Sequence, residues 1–347
     1  MNVLTTLPRN EIIIGDALRK LSALPDASVD CVITSPPYFR LRDYDAHGQL
    51  GLETHVDQWV EQLARISQQV ARVLVPTGTF WLNVGDSYAT HPREGAARKS
   101  LLMAPERLAL RLQQDGWIIR NKIVWAKPNP MPTSVLDRLN TTYEIIYVLA
   151  RQSRYFLDLD AIRVPHVTPK IPASTGPRRS QRHESWRGPN SDTATGLATL
   201  KANGIVGHPL GKNPGDVWTI GTGGYRSAHH AIYPVRLAER MVTAGCPEAR
   251  CARCHAPWRR RVIRGLGRAA TRSALAPSCS CTTSREPGLV LDPFMGSGTT
   301  AVAAKALGRD WLGIELNPDF AAAARTRIAG ARRQEPPGTP HSERAAA

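Results

Sequence analysis

The chain has 347 residues, and its 45 Lys and Arg outnumber its 29 Asp and Glu, which gives a formal net charge of +16. This excess favours the phosphate backbone of nucleic acids as a partner, although a high arginine content can also reflect genome composition. The length allows one large domain with an insertion. No N-terminal run fits a signal peptide and no apolar stretch approaches membrane-spanning length, so we expect a cytoplasmic protein without a membrane partner.

Strands and helices alternate through the first half of the chain, which predicts a doubly wound α/β sheet. The last segment adds only two strands and two helices, too few to cover both faces of a parallel sheet, so we expect its strands to join the N-terminal ones. Ligands would then bind at the carboxyl edge of the combined sheet. The predicted elements are strands at Glu11–Ile14, Val29–Thr34, Thr79–Val84, Trp117–Trp125 and Tyr143–Leu149, and helices at Ala17–Ala23, Val56–Leu74, Leu101–Gln114 and Val235–Ala244.

The strand at Val29–Thr34 stops abruptly at the sequence Ser35-Pro36-Pro37-Tyr38. Proline cannot donate to a strand ladder and restricts the residue before it, so the chain must enter a loop here. That loop presents a hydroxyl, a rigid turn and an aromatic ring side by side, which suits a flat ring with an exocyclic amine. The alternative is a proline-rich strand exit with a surface Ser and Tyr.

Residues 289–315 predict a strand, a glycine turn, a helix and a second strand. Gly296, Gly298 and Ala301 fit the glycine fingerprint of nucleotide-binding α/β folds, and Glu315 ends the next strand, where an acid can take ribose hydroxyls. No Lys follows the glycines, so the segment is not a phosphate-binding P-loop. A nicotinamide cofactor, or a tight turn with packing glycines, remains an alternative.

The sequences Asp292-Pro-Phe-Met-Gly-Ser-Gly-Thr-Thr and Thr34-Ser-Pro-Pro-Tyr together resemble the amino-methylating DNA methyltransferases, which use S-adenosylmethionine. The order, with the catalytic loop first and the cofactor loop last, resembles the class often called beta. The resemblance covers most of residues 9–151 and 214–329. It implies a Rossmann-like methyltransferase sheet in permuted motif order.

The resemblance also implies roles for individual residues. Asp16 would contact the adenine of the cofactor, although Asp there equally suits a helix N-cap. Asp292 would lie near the methionine end, and Glu315 would take the ribose. The catalytic set is Ser35, Pro36, Pro37 and Tyr38. The cofactor set is Asp16, Asp292, Pro293, Phe294, Gly296, Ser297, Gly298, Thr299 and Glu315.

The implied activity is site-specific methylation of the N4 amine of a flipped-out cytosine in double-stranded DNA. Ser35 stands where many adenine-modifying relatives carry Asp, which favours cytosine, with N6-adenine methylation as the alternative. A cognate restriction endonuclease is a possible partner, and the protein would be DNA-associated in a bacterium or encoded by a phage. Competing classes are an NAD-dependent oxidoreductase, an RNA or protein methyltransferase, and a catalytically silent DNA-binding zinc module.

Composition divides the rest of the chain. Residues 164–216 are rich in Pro, Ser, Gly, Arg and His and predict a flexible target-recognition region. The motif His229-His230 precedes a helix and resembles the segment that packs beside the cofactor loop. The predicted division is residues 1–163 and 217–245 as catalytic domain, 246–285 as insertion, 286–331 as its cofactor-binding part and 332–347 as a disordered tail.

Six cysteines suggest a second site. Cys251 and Cys254 form one close pair, and Cys279 and Cys281 form another, on either side of a basic segment. Disulfides are rare in the cytoplasm, so this spacing favours a structural zinc ribbon that would brace the Arg259–Arg264 hairpin against DNA. The second pair is Cys-x-Cys, and His255 stands where a knuckle usually has Gly. Cys246 could replace a ligand, and free thiols are the alternative.

Overall fold

The computed structural model describes residues 7–44, 46–166, 208–222, 233–263, 270–281 and 284–332. Contacts divide the chain into two compact units, and the larger comprises residues 1–158, 215–259 and 275–347. Its main sheet contains eight strands: β1 (Glu11–Ile14), β2 (Val29–Thr34), β3 (Leu74–Val84), β4 (Ile118–Ala126), β5 (Tyr143–Ala150), β6 (Val217–Thr219), β11 (Leu289–Asp292) and β12 (Asp310–Glu315). They lie side by side in the order β1-β12-β11-β2-β3-β5-β4-β6.

The sheet joins the two ends of the chain, as the sequence predicted. The N-terminal strand β1 pairs in parallel with β12, and β11 lies between β12 and β2 in parallel with both. β2 is buried along its whole length because strands flank it on both sides and helices cover both faces. The mixed α/β fold with a mostly parallel central sheet is therefore confirmed.

One strand runs against the rest. β5 is antiparallel to both of its neighbours, β3 and β4. The connection between β4 and β5 contains no helix, and an antiparallel strand needs no helical crossover to return. This reversal places the start of β5, rather than its end, at the edge where β2, β11 and β12 finish.

Helices surround the sheet in the described part of the chain; they are α1 (Ala17–Ser22), α2 (Val56–Val73), α3 (Ala104–Gln114), α4 (Val235–Gly245), α5 (Thr299–Ala306) and α6 (Pro318–Gly330). The side chain of Asp16 caps α1 by accepting from the amide of Arg19. α3 begins three residues later than predicted, because the Asp86 carboxylate accepts the amides of Met103 and Ala104 and fixes its first turn. No helix in these described residues is long and apolar enough to cross a membrane.

Short strands complete both units. In the larger one, β7 (Ala249–Cys251) pairs with β10 (Arg285–Pro287). The second unit comprises Leu159–Pro214 and Arg260–Ala274, and in it β8 (Val262–Ile263) pairs with β9 (Thr271–Arg272) as a small hairpin. Most of the predicted target-recognition region, the His229-His230 motif and all but the first residue of the predicted tail lie outside the described residues.

Candidate active site

A cavity of about 630 Å³ lies at the carboxyl edge of the large sheet. Both predicted loops line it, together with the residue that follows β1. Of the thirteen residues predicted for catalysis and cofactor binding, eleven lie on its wall: Asp16, Ser35, Pro36, Pro37, Tyr38, Pro293, Phe294, Gly296, Ser297, Thr299 and Glu315. Two predicted residues do not line the cavity: Asp292, which ends β11, and Gly298, in the glycine loop.

The glycine loop is shaped by backbone conformations that other residues rarely adopt. Gly296 has φ +50° and Gly298 has φ +77°, both in the left-handed region. A Cβ on Gly298 would lie 2.9 Å from Cδ1 of Ile328 and 3.2 Å from Cβ of Ala324, so a side chain would also crowd α6. Gly298 is the N-cap of α5, and the loop therefore presents the amino end of that helix beside the cavity.

The Glu315 carboxylate links the glycine loop to the turn that follows β12. Its Oε2 accepts from the amide of Gly296 at 2.7 Å, and its Oε1 accepts from the amide of Asn317 at 2.9 Å. Burial raises the pKa of Glu315, and these backbone donors oppose the rise. Each carboxylate oxygen retains a second lone pair, so Glu315 can still accept hydroxyl donors from the cavity.

Asp292 lies in a nest of hydroxyl groups. Thr34 donates to its Oδ1 at 2.5 Å, the Phe294 amide donates to the same oxygen at 3.0 Å, and Thr300 donates to its Oδ2. Tyr233 also donates to Oδ2 at 3.4 Å. Asp292 thus ties the end of β2, which carries the Ser35 loop, to the glycine loop. Its carboxylate does not line the cavity but fixes the positions of the two loops that do.

Asp292 should make stability depend on pH. Burial raises the pKa of Asp292 to about 6, against about 3.9 for an unfolded Asp. The folded state then binds this proton more tightly, so the free energy of unfolding falls as pH rises from about 4 to about 6, by up to about 3 kcal/mol. Asp292→Asn should flatten this fall when urea unfolding is measured at several pH values. Asp30, whose pKa burial also raises to about 6, should keep part of the slope. Parallel curves for the variant and the wild type would contradict the assignment.

A polar network on the other side of the cavity contains five side chains, those of Ser35, Tyr38, Asn83, Lys127 and Glu144. The Tyr38 hydroxyl donates to Oε2 of Glu144 at 2.6 Å, and Nδ2 of Asn83 donates to the Tyr38 hydroxyl oxygen and to the same Glu144 oxygen, both at 2.8 Å. Nζ of Lys127 lies 2.5 Å from the other oxygen of Glu144. Burial and the Glu144 carboxylate raise the pKa of Tyr38 well above its ordinary value, so the phenol keeps its proton.

The direction of the hydrogen bonds leaves Ser35 with acceptor capacity. Oγ of Ser35 lies 3.0 Å from the Tyr38 hydroxyl. Tyr38 has one proton and donates it to Glu144, so Ser35 must be the donor in the Ser35–Tyr38 bond. Nδ2 of Asn83 also lies 3.3 Å from Oγ of Ser35, and a hydrogen bond there would still leave a lone pair on Ser35, which lines the cavity. Ser35 can therefore accept a hydrogen bond from an amine in the cavity.

Packing fixes the loop that carries these groups. The indole nitrogen of Trp59 donates to the carbonyl of Pro37 at 2.8 Å, and Trp59 is fully buried in the core. The Tyr38 ring lies against Gly85, where an added Cβ would come within 2.7 Å of Cε2. The ring is therefore positioned by the absence of a side chain at Gly85 as well as by its hydroxyl.

Asn83, Lys127 and Glu144 were not among the predicted site residues. Asn83 is a polar residue at the end of the apolar strand β3, and a buried polar group at a carboxyl edge is a recognisable signal. Lys127 and Glu144 lie in segments that also resemble the family, but the sequence assigned them no chemical role, and their meeting depends on the reversed strand β5. An aromatic pair was also missed: Tyr44 and Phe320 line the cavity and meet edge to face, with ring centroids 6.4 Å apart.

The four paired cysteines lie together in the larger unit. The Sγ atoms of Cys251, Cys254, Cys279 and Cys281 all lie within 4.8 Å of one another. Cys246 is buried elsewhere, with its Sγ 3.7 Å from the carbonyl of Pro247, and is not part of this group. His255 has φ +57°, so the residue after Cys254 adopts the left-handed conformation that glycine usually supplies in a knuckle.

Comparison with known proteins agrees with this geometry. A family model for DNA methylases matches residues 29–326. The type II methyltransferase M.SmaI of Serratia marcescens is 32% identical, over 92% of this chain and 90% of that protein. The type II methyltransferase M.SfiI of Streptomyces fimbriatus is also 32% identical, over 90% of this chain and 89% of that protein.

Two solved structures share the fold. The PvuII DNA methyltransferase, named as cytosine-N4-specific, superposes with a TM-score of 0.55 at 17% identity and covers 95% of this chain and 96% of its own. A DNA modification methylase of Thermus thermophilus, solved in complex with S-adenosyl-L-methionine, gives a TM-score of 0.52 at 24% identity over 92% of this chain and 93% of its own. From the family match and the full-length relatives, the chain belongs to the N6/N4 DNA methylase family.

Proposed function

We propose that this protein is a DNA methyltransferase that transfers a methyl group from S-adenosylmethionine to the N4 amine of a flipped-out cytosine. The observation that carries the proposal is a single cavity that joins the Ser35-Pro36-Pro37-Tyr38 loop to the glycine loop and Glu315. The loop after β2 precedes the glycine loop after β11 in the chain, which supports a methyltransferase sheet in permuted motif order.

The residues along one part of the cavity fit S-adenosylmethionine. Glu315 can accept ribose hydroxyls, Asp16 lies on the wall at the end of β1, and Tyr44 and Phe320 offer aromatic surface for an adenine ring. The left-handed glycines let the backbone approach the ligand closely. When bound, this cofactor supplies a methyl group on a positively charged sulfur. Asp292, which does not line the cavity, would support the site by holding the loop in shape.

The other part of the cavity fits an exocyclic amine. The target base must leave the duplex stack to reach the cavity. Ser35 would accept a hydrogen bond from one N–H of the amine, and we assign the second to the carbonyl of Pro36. These bonds favour a tetrahedral nitrogen whose lone pair points at the methyl group, and correct positioning for in-line attack supplies much of the rate. Tyr38 would contact the base.

The polar network provides a route for the proton that the amine must lose. Transfer of the methyl group from the sulfur of the cofactor to the amine would leave the nitrogen positively charged, so the amine would have to release one proton. Ser35 can take this proton while it passes its own to Tyr38, and Tyr38 can pass its proton to Glu144. Glu144 ends the chain as proton acceptor, and Lys127 compensates its charge before transfer.

The preference for cytosine rests on Ser35. At this position many adenine-modifying relatives carry Asp, whereas this protein offers the neutral hydroxyl of Ser35 to the amine. The amine alone does not distinguish the two bases, because cytosine and adenine both carry an amine beside a ring nitrogen. Methylation of adenine at N6 is the alternative, and the cavity geometry is compatible with the same chemistry on it. NAD-dependent oxidoreduction is more distant, because it would explain the cofactor loop but not the Ser-Pro-Pro-Tyr loop. RNA methylation would keep the same cofactor site, and a comparison of DNA and RNA as substrates separates the two.

The product of the reaction tests the proposal directly. Duplex DNA incubated with the protein and S-adenosylmethionine, then digested to nucleosides, should contain N4-methylcytosine by mass spectrometry, and an RNA of the same sequence should not be modified. Ser35→Ala should reduce the product strongly. N6-methyladenine as the only product would replace the base assignment, and full activity in both Ser35→Ala and Tyr38→Ala would remove the mechanism.

We also propose that the four-cysteine group holds a structural zinc ion in a zinc-ribbon-like insertion. A tetrahedral site with Zn–S distances of about 2.3 Å places its sulfur atoms about 3.8 Å apart, and the four Sγ atoms lie within 4.8 Å of one another. Four thiolates would fill the coordination sphere and leave no open position for catalysis. The left-handed His255 supports the knuckle-like turn after Cys254.

Purified protein should contain close to one zinc ion per chain by elemental analysis. Changing Cys279 and Cys281 to Ser should remove the metal and lower the melting temperature, because metal binding to a folded site contributes to folding. Ser280→Ala, a change at the exposed residue between these two cysteines, is the matched control and should keep both. A wild-type protein without zinc would refute this site.

We propose the partners from the relatives and the domain division from the composition of the chain. The relatives are type II methyltransferases, so a cognate restriction endonuclease is a proposed partner and double-stranded DNA the proposed substrate. Residues 164–216 are proposed as the target-recognition region. Residues 1–163, 217–245 and 286–331 are proposed as the catalytic domain, with 246–285 as the insertion.

A further inference from the structure

The loop that connects β4 to β5, residues 128–142, exposes an unusual amount of apolar surface. Met131 is 85% exposed, Leu136 is 100% exposed and Leu139 is 90% exposed. Isolated exposed apolar side chains are common, but three within nine residues form a patch that indicates a partner. All of residues 131–137 are exposed.

This loop borders the cavity. Asn129, Pro130 and Met131 line the cavity wall, and Lys127, directly before the loop, pairs with Glu144 inside it. The amide of Lys127 donates to the carbonyl of Thr142 at 2.8 Å and closes the base of the loop. The Asn140 side chain donates to the carbonyl of Met131 at 3.0 Å and ties the two arms together. These two hydrogen bonds hold the arms of the loop together next to the cavity.

The surroundings of the loop are cationic. Arg138 lies over the ring of Tyr88 at 3.9 Å, and Lys99 pairs with Asp137 at 2.6 Å. Arg98, next to Lys99, is exposed. Apolar side chains beside exposed cations match a partner that offers phosphates and an apolar gap between them, which is what a duplex offers where a base has left the stack.

We propose that the 128–142 loop enters the DNA duplex and that Leu136, supported by Leu139, fills the space left by the flipped base. This inference rests on the proposed function, since only an enzyme that extrudes its target base creates such a gap. Apolar side chains that wedge between base steps offset the cost of unstacking. The loop would thus stabilise the flipped state. Met131, which lines the cavity, would lie between the gap in the duplex and the cavity.

Binding to paired and unpaired target sites tests this inference. A duplex is first selected by binding from a random-sequence library, so that its choice does not depend on activity. Each cytosine of the selected site is then placed opposite guanine or opposite an abasic position, and dissociation constants are measured by fluorescence anisotropy. A base opposite an abasic position is already unpaired, so its flipping costs less free energy and binding should depend less on the loop.

The variant Leu136→Ala/Leu139→Ala should bind the fully paired site about tenfold more weakly than the wild type, and should bind the best abasic duplex within about threefold of it. Leu110→Ala, at a 60% exposed leucine on α3 that does not line the cavity, should match the wild type on both. Equal losses on both duplexes, or no loss on either, would overturn the wedge.

Methyl transfer to the same duplexes is measured separately. Absence of transfer by the wild type would refute the proposed function, whereas the binding comparison decides the loop in either case. A loop variant that binds all DNA normally but loses the ability to bind another protein would reassign the patch to a protein partner.

Discussion

Replacing Glu144 with Gln should lower kcat for methyl transfer about 10²- to 10³-fold and leave the affinity for S-adenosylmethionine unchanged. The amide keeps the size of the side chain and can still accept the hydrogen bond from Tyr38 at its oxygen. It cannot accept a proton, so the chain Ser35–Tyr38–Glu144 loses its terminus. Single-turnover kinetics with saturating DNA measures the methyl-transfer step itself, and calorimetry measures cofactor binding.

A matched control lies on helix α3. Glu106 also pairs with a lysine, Lys122, at 2.6 Å, but does not line the cavity. Glu106→Gln should change neither kcat nor cofactor affinity. Tyr38→Phe should lose activity as Glu144→Gln does, because it breaks the same chain one step earlier. If Glu144→Gln were as active as Glu106→Gln, the proton would leave by another route, and Glu144 would serve only to position Tyr38.

Most of the parallel half of this site could be predicted from the sequence. β1, β2, β11 and β12 each end at a recognisable residue or motif, and parallel strands must bring their carboxyl ends to one edge. Asp16, Ser35 and Glu315 therefore meet in one cavity, as local sequence and topology together predicted. Short-range signals sufficed here because each of these residues ends its strand or follows it within two positions.

The network around Glu144 could not be predicted in the same way. Its position depends on the antiparallel β5, and the direction of a strand follows from how the connection before it returns, which a proline-rich loop does not specify. Asp292 was placed at the cofactor by its motif, yet the structure surrounds it with Thr34, Thr300 and Tyr233. Contacts between residues far apart in the chain leave no trace in the local sequence.

The buried salt-bridge network around Arg250 is the feature whose loss should lower the free energy of unfolding most. Arg250 is 1% exposed and adjoins Cys251 on β7. Its Nη1 donates to the carbonyl of Ser28 at 2.7 Å and to Asp30 at 3.1 Å, and its Nε donates to Glu286 at 2.7 Å. Asp30 in turn accepts the amide of Leu289 at 2.8 Å. One guanidinium therefore joins the cysteine-bearing strand to β2 and β11, the two strands that carry the Ser35 loop and the glycine loop.

Arg250→Ala should lower the free energy of unfolding by about 3–5 kcal/mol, because it leaves Asp30 buried without its countercharge. Adding Asp30→Asn should recover part of this loss, since a neutral amide needs no ion partner and its oxygen can still accept from Leu289. Arg65→Ala, which removes an exposed partner of Glu61, should cost less than about 1 kcal/mol. Urea unfolding of the four proteins measures all of these values.

Should Arg250→Ala prove no more costly than Arg65→Ala, the buried network would not hold the two strands together. A large loss that Asp30→Asn leaves unchanged would mean that packing of the arginine stem, rather than its charge, stabilises the junction.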